Sequence, residues 1–194
     1  VYSGSYNEFG YWKREKGQLR YFSLSEHKNL FEGNSVNEEI WKIFKFKNTI
    51  YFQSFNQLYA YNGTTVRKIN LPGLISYCFP IDNKVYVATA TQGVFVFDGE
   101  KFTVQSQWKI LENKIIHAIE KHDGSLYFFT RNDGIFIGNA QGITSFNHPL
   151  NNRFKTELIN TARFIDSHRL AIGTAFKGLY ILNSKEGTYQ NINR

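Results

Sequence analysis

Apolar and polar positions alternate in short runs along most of this chain, and the runs recur in a fixed order. An alternating β-rich run, a short polar break usually ending in Gly, and a second aromatic-rich run closed by a turn appear five times. Val1-Tyr2-Ser3-Gly4-Ser5 precedes Phe9-Gly10-Tyr11-Trp12, and Ile50-Tyr51-Phe52-Gln53-Ser54 precedes Leu58-Tyr59-Ala60-Tyr61. Val85-Tyr86-Val87-Ala88-Thr89 precedes Gly93-Val94-Phe95-Val96-Phe97. Leu126-Tyr127-Phe128-Phe129-Thr130 leads to Gly134-Ile135-Phe136-Ile137, and Leu170-Ala171-Ile172-Gly173-Thr174 to Gly178-Leu179-Tyr180-Ile181-Leu182. The first runs start 49, 35, 41 and 44 residues apart. A third apolar run lies before each marker from the second repeat on (40–44, 75–79, 115–119, 159–164), and a fourth follows the second run, as at 101–104 and 142–146. Each repeat therefore predicts an inner, second, third and outer strand.

A four-stranded unit of roughly 40 to 50 residues is the size of one β-propeller blade. The expected fold is all-β, one β-propeller domain or fragment over 1–194, with repeats at about 1–34, 35–72, 73–108, 109–152 and 153–194. Turn chemistry agrees. Asp82-Asn83, His122-Asp123-Gly124 and Asp166-Ser167 join first to second strands, while Asn62-Gly63 and Asp98-Gly99 close third to outer ones. Gly10, Gly93, Gly134 and Gly178 are expected to relieve a positive φ or a close backbone approach at one point of the blade; Gln57 holds that slot in the second repeat and implies a different turn. No stretch shows sustained helical periodicity, and 26–39 reads as a long inter-blade loop. The first repeat lacks its inner strand, so about nineteen strands fit either a closed five-bladed ring or an open arc of a larger propeller. The exposed faces and blade edges of an arc favour self-association.

Composition narrows the function. The chain is 42% hydrophobic and 17% aromatic, enough for a substantial core. Its longest apolar stretches fall far short of the roughly 20 residues that span a bilayer, and no leader precedes Val1. With no Met and an opening inside an apolar run, it reads as cut from a longer polypeptide, so any membrane attachment is expected in other parts of the parent. The net charge of +7 comes from 23 basic residues spread along the sequence, densest at Lys13, Arg14, Lys16 and Arg20. That is a solvated hairpin tip, with no direct nucleic-acid binding implied. Cys78 is alone in an apolar run, which excludes an internal disulfide and predicts a small buried residue. His27, His117, His122, His148 and His168 show no ligand spacing, so no metal and no cofactor are expected; His122 and His168 fall in corresponding turns. No nucleophile elbow, phosphate loop or dinucleotide fingerprint is present, and no enzymatic role is assigned. Carboxylates on separate blades, such as Glu8 and Asp133, are a pair that could meet over the axis, but sixteen acidic residues offer many such pairs.

Arg169-Leu170-Ala171-Ile172-Gly173-Thr174 followed by Lys177-Gly178-Leu179-Tyr180-Ile181 resembles the regulator-propeller repeat of bacterial two-component sensors, in which a strand ending Gly-Thr precedes a Gly-Leu-Tyr strand. The segments 85–99 and 126–138 are weaker copies, and the first two repeats depart most. The opening Gly4-Ser5-Tyr6-Asn7-Glu8-Phe9-Gly10-Tyr11-Trp12 also resembles propeller segments of Bacteroidetes-type regulators that carry a triple-tyrosine domain after the propeller. The resemblance implies a periplasmic sensor region that passes a signal through the membrane to a kinase or DNA-binding output, the signal in some members being an oligosaccharide.

The candidate ligand-binding residues lie in the breaks between second and third strands, which recur on one face: Tyr6, Asn7 and Glu8; Phe55, Asn56 and Gln57; Thr91 and Gln92; Arg131, Asn132 and Asp133; Phe176 and Lys177. Aromatic rings pack on the apolar face of a pyranose, while Asn, Gln, Asp and Arg reach its hydroxyls, so an oligosaccharide is the expected ligand. The alternative is a propeller scaffold for protein–protein interaction without a small ligand.

Overall fold

Each alternating run pairs with its sequence neighbour as an antiparallel hairpin in the computed structural model, which describes residues 1–26, 30–31, 37–139 and 141–193. Sheet one has three strands, β1 (Tyr2–Ser5), β2 (Glu8–Glu15) and β3 (Gln18–Ser23), and the other four sheets have four each. Sheet two is β4 (Lys42–Phe46), β5 (Thr49–Gln53), β6 (Leu58–Tyr61) and β7 (Val66–Ile69); sheet three is β8 (Ile75–Ile81), β9 (Lys84–Thr89), β10 (Val94–Phe97) and β11 (Phe102–Val104). Sheet four is β12 (Ile116–His122), β13 (Ser125–Thr130), β14 (Ile135–Asn139) and β15 (Gly142–Ser145), and sheet five is β16 (Ile159–Phe164), β17 (Arg169–Thr174), β18 (Leu179–Asn183) and β19 (Thr188–Ile192). Strand order follows chain order in every sheet.

Two side-chain devices repeat with the sheets and explain why the breaks fall where they do. At the end of each second strand in sheets two to five stands a hydroxyl residue: Ser54, Thr89, Thr130 or Thr174. Thr174 Oγ1 accepts the Lys177 N–H and donates to the Gly178 carbonyl, both at 3.0 Å. Thr89 and Thr130 do the same to the residues three and four positions on. Ser54 bonds both the N–H and the carbonyl of Gln57, so the second repeat turns one residue sooner and its slot needs no glycine. At the end of the third strand in sheets two to five, Asn62, Asp98, Asn139 and Asn183 use Oδ1 to accept the backbone N–H groups two and three residues on. These local bonds satisfy donors that the ladders leave free. Those backbone bonds also hold the Asp98 carboxyl below the usual carboxylate range.

The sheets stack face to face, and each contact has its own core. Phe9, Phe52 and Tyr59 join sheets one and two; Tyr51, Val87 and Phe97 join two and three. Ile119, Phe128 and Ala88 join three and four, and Phe129, Ile172 and Tyr180 join four and five. No such cluster among the described residues joins sheet five to sheet one, so the array is an open arc. Cys78 is fully buried between sheets two and three, where desolvation pushes its thiol up to about 12.

Helical segments occupy two connections that the sequence reading leaves irregular. A kinked 3-10 segment, Ser106–Leu111, carries buried Trp108 and Leu111 between sheets three and four. Helix α1, Leu150–Glu157, inserts Leu150 and Phe154 between sheets four and five. The proposed repeat boundaries after 108 and 152 fall inside these segments. Asn151 anchors α1: its Oδ1 accepts the Ile135 N–H at 2.7 Å, and its Nδ2 donates to Ile135 O, Ser145 Oγ and Phe146 O. At its other end Glu157 accepts from the Tyr180 hydroxyl at 2.7 Å and from Arg153. Burial first, then the bond to Glu157, pushes the Tyr180 phenol up to about 12. Much of the loop expected at 26–39 lies outside the described residues. Among the described residues no helix is long and apolar enough to cross a membrane.

The four glycines meet the expectation in two different ways. Gly93, Gly134 and Gly178 have φ of 75°, 85° and 72°. Gly10 instead sits inside β2 without a positive φ, and a Cβ there would lie 2.2 Å from the Phe22 carbonyl oxygen, so close approach alone demands it. Gly178 combines both constraints, since its Cβ would meet Ile192 O at 2.3 Å. Gly17, at φ 81° with nothing within 4 Å, carries only the first. Gly178→Val is therefore expected to cost about 3 kcal/mol, and Gly17→Val about half of that, because the valine at 178 must also displace β19. Chemical denaturation of the two variants checks the ranking; equal losses would contradict it.

Candidate functional site

The hairpins between second and third strands lie at the same end of the sheets as the entries to the inner strands, because Lys42, which opens β4, pairs with Gln53, which closes β5. Backbone hydrogen bonds tie each hairpin to the entry of the next sheet. Asn7 N donates to Glu38 O, and Ile40 N to Ser5 O; Ile75 N donates to Phe55 O; Asn113 N to Thr91 O; Ile159 N to Arg131 O. The result is one continuous loop face on a rigid scaffold.

Large apolar side chains stand in solvent along this face: Tyr6, Trp41, Phe55, Leu74, Ile115 and Phe176. Trp41 and Phe55 are 51% and 47% exposed, yet their rings pack together at 5.0 Å and 48°. Leu74 and Ile115 are held in place through their carbonyls, which accept Ala90 N and Arg131 N. Trp41, Leu74 and Ile115 are functional candidates that sequence reasoning misses. Reading 40–44 and 115–119 as inner strands hides Trp41 and Ile115, whereas the strands begin at Lys42 and Ile116.

The sequence-predicted residues divide into two groups. Tyr6, Phe55, Asn56, Thr91, Gln92, Arg131, Asn132, Phe176 and Lys177 are exposed on the loop face. The Tyr6 hydroxyl donates to Asn37 Oδ1. The remaining four are engaged within the fold. Glu8 is not in a loop; it opens β2, and its Oε1 accepts from the Tyr21 hydroxyl at 2.6 Å. Asn7 Oδ1 accepts the Glu38 N–H at 2.8 Å. Gln57 Nε2 donates to Ile69 O at 2.9 Å, and Asp133 pairs with Lys114 at 3.0 Å. Glu8 and Asp133 thus have separate local partners on sheets one and four.

Toward the arc's inner edge, the loop face is bordered by inner-strand side chains. Lys42 Nζ lies 4.8 Å from the Phe79 ring centroid, and burial lowers its pKa from the ordinary lysine value. His117 meets Tyr77 edge-on at 5.9 Å, and burial lowers its pKa too. His122 closes β12 and stacks on Phe164 at 3.8 Å, while His168 lies exposed in the turn after β16, so the two do not share a role. Among the described residues no group of three or more His, Cys, Asp and Glu is placed to hold a metal ion.

Hairpin sheets in chain order, stacked face to face with a separate core at each contact, define this chain as an open arc of β-propeller blades. Solved structures agree on the fold. The extracellular domain of the hybrid two-component system BT3049 from B. thetaiotaomicron superposes with a TM-score of 0.63 at 16% identity, over 80% of this chain and 24% of that one. The WD40 propeller domain of Doa1 gives 0.65 at 9% identity, over 97% of this chain and 62% of that one. PorZ, a surface component of the type-IX secretion system of Porphyromonas gingivalis, gives 0.66 at 10% identity, over 95% of this chain and 25% of that one. The chain therefore spans about a quarter of the BT3049 domain and of PorZ. No protein-family profile and no curated protein sequence matches it.

Proposed function

We propose that this arc is the sensor, or ligand-recognition, region of a periplasmic signal-transduction regulator, and that it reads an oligosaccharide through the loop face. The observation that carries the reading is the solvent-exposed Trp41–Phe55 ring pair, with Asn56, Gln92 and Arg131 on the same stitched face. Two rings at that angle offer an apolar wall to a pyranose, and the amides and guanidinium reach hydroxyls. The likeness to the extracellular domain of a two-component system supports the sensor setting. Leu74 and Ile115 favour a second reading, a protein partner, because exposed aliphatic side chains recognise apolar surface and do not stack on sugars.

Thermal-shift screening against a panel of oligosaccharides, repeated at several protein concentrations, tests both. A ligand at about 100 times its Kd adds about 2.7 kcal/mol to the folded state and raises the melting temperature by roughly 5–10 °C. The expected result is such a rise with one glycan class, lost in Trp41→Ala. Silence from every glycan class would sink the sugar reading. A melting temperature that instead climbs with protein concentration alone would assign the recognition to self-association through the uncovered faces of sheets one and five.

A further inference from the structure

We propose that the cavity between sheets three and four binds a small carboxylate on a body the size of a sugar ring, in its simplest form a hexuronate. The register of the repeats shows how the cavity arises. On β14, Gly138 pairs with Leu126. The same place holds Tyr61 opposite Ile50, Phe97 opposite Val85 and Leu182 opposite Leu170, each of the three buried against the preceding sheet. With no side chain at Gly138, the edge of the Phe128 ring comes within 2.9 Å of where a Cβ would stand, and a cavity of about 460 Å³ opens beside it. This is within the size range of small-molecule sites.

Trp108 only partly occupies the space. Its indole Nε1 lies over Gly138, 3.2 Å from where a Cβ would stand, and both residues line the cavity. Trp108 is 6% exposed, and Nε1 has no hydrogen-bond partner among the described residues. A buried N–H without an acceptor is costly, and an acceptor on a bound molecule that reaches it would satisfy it. The cavity mouth adds positive charge. Lys84 makes no ion pair among the described residues, and Lys121 is held at 2.6 Å by Asp82. One free ammonium and one free indole N–H together suit a carboxylate. The Tyr86 and Trp108 rings, 5.9 Å apart and inclined at 36°, provide a wall for the body of the molecule, and the Asn83 and Gln107 amides can meet its hydroxyls. The site adjoins the turns at 82–83 and 123–124, at the opposite end of the sheets from the loop face, and does not depend on the function proposed for that face.

Tryptophan indole ¹H–¹⁵N resonances of the labelled protein test the proposal, with Trp108→Phe assigning its cross-peak against Trp12 and Trp41. D-glucuronate is expected to move the Trp108 peak saturably while leaving the other two in place. D-glucose should be at least ten times weaker, and Lys84→Ala should weaken glucuronate about fivefold or more without shifting the melting temperature. A Trp108 peak that stays still, an equal response to glucose, or a Lys84→Ala variant that binds as well as the parent would each overturn the site. Movement of Trp41 in place of Trp108 would put the ligand on the loop face and overturn it equally.

Discussion

Asn151→Leu is expected to destabilise the protein by about 4 kcal/mol and to lower its melting temperature by roughly 10 °C, whereas Asn152→Leu on the next position is expected to change it by under about 0.5 kcal/mol. The two side chains differ in what they hold. Asn151 is buried, and its amide meets Ile135 N and O, Ser145 Oγ and Phe146 O; leucine would leave the Ile135 N–H without its 2.7 Å acceptor in a dry interior. Asn152 is exposed and, among the described residues, bonds Lys155 alone. Because Asn151 pins α1 while Leu150 and Phe154 fill the contact between sheets four and five, its loss loosens that contact as well as one turn. Urea denaturation of both variants checks the contrast, and a mild Asn151→Leu would mean that α1 is not the wedge described.

The second large effect is expected at Gln53. Its buried amide crosses from sheet two to sheet three, accepting the Cys78 N–H and donating to Ser76 O, both at 3.0 Å. Those two groups flank a bulge in β8, where the register slips between Ile75 and Tyr77 and the ladder leaves backbone polar groups unpaired. Bulges recur in β12 and β16, but the positions matching Gln53 on the sheets before them are Ala88 and Phe129, so this amide bridge belongs to one contact alone. Gln53→Met keeps the volume and removes both bonds, at an expected cost of about 3 kcal/mol. Hydrogen exchange at the Cys78 amide should quicken in this variant beyond what its global stability accounts for. Unchanged protection at Cys78 would contradict the bridge.

Both effects show what the sequence alone could and could not disclose. The repeat, the strand order and the missing inner strand of sheet one were legible because the alternation of apolar positions and the turn residues report the same division of the chain. The Gly-Thr and Asn or Asp signatures were legible too, since each is a short-range bond: Thr174 to Gly178, Asp98 to Lys101. Helix α1 was harder to see. Its buried positions, 150, 151, 154 and 157, follow one helical face, but only Leu150 and Phe154 are apolar, and the wedge is completed by a buried amide and a buried carboxylate. Polar residues buried for long-range bonds leave no hydrophobic pattern, and Gln53 escapes notice for the same reason. On the loop face, the turn composition revealed Phe55 and Phe176, while Trp41 and Ile115 read as strand residues because an apolar residue just before a strand looks like its start, and Leu74, lying between the third repeat's inner strand and the preceding turn, carried no signal of its own.

Hydrogen exchange with and without the glycan that gives the largest thermal shift tests the recognition face most directly. Protection is expected only on the loop face, at 38–41, 54–57, 90–92 and 131–133, and is expected to vanish when Trp41 and Phe55 are both replaced by alanine. Protection at the turns of the opposite end, or none at the loop face under saturating glycan, would contradict glycan recognition by that face.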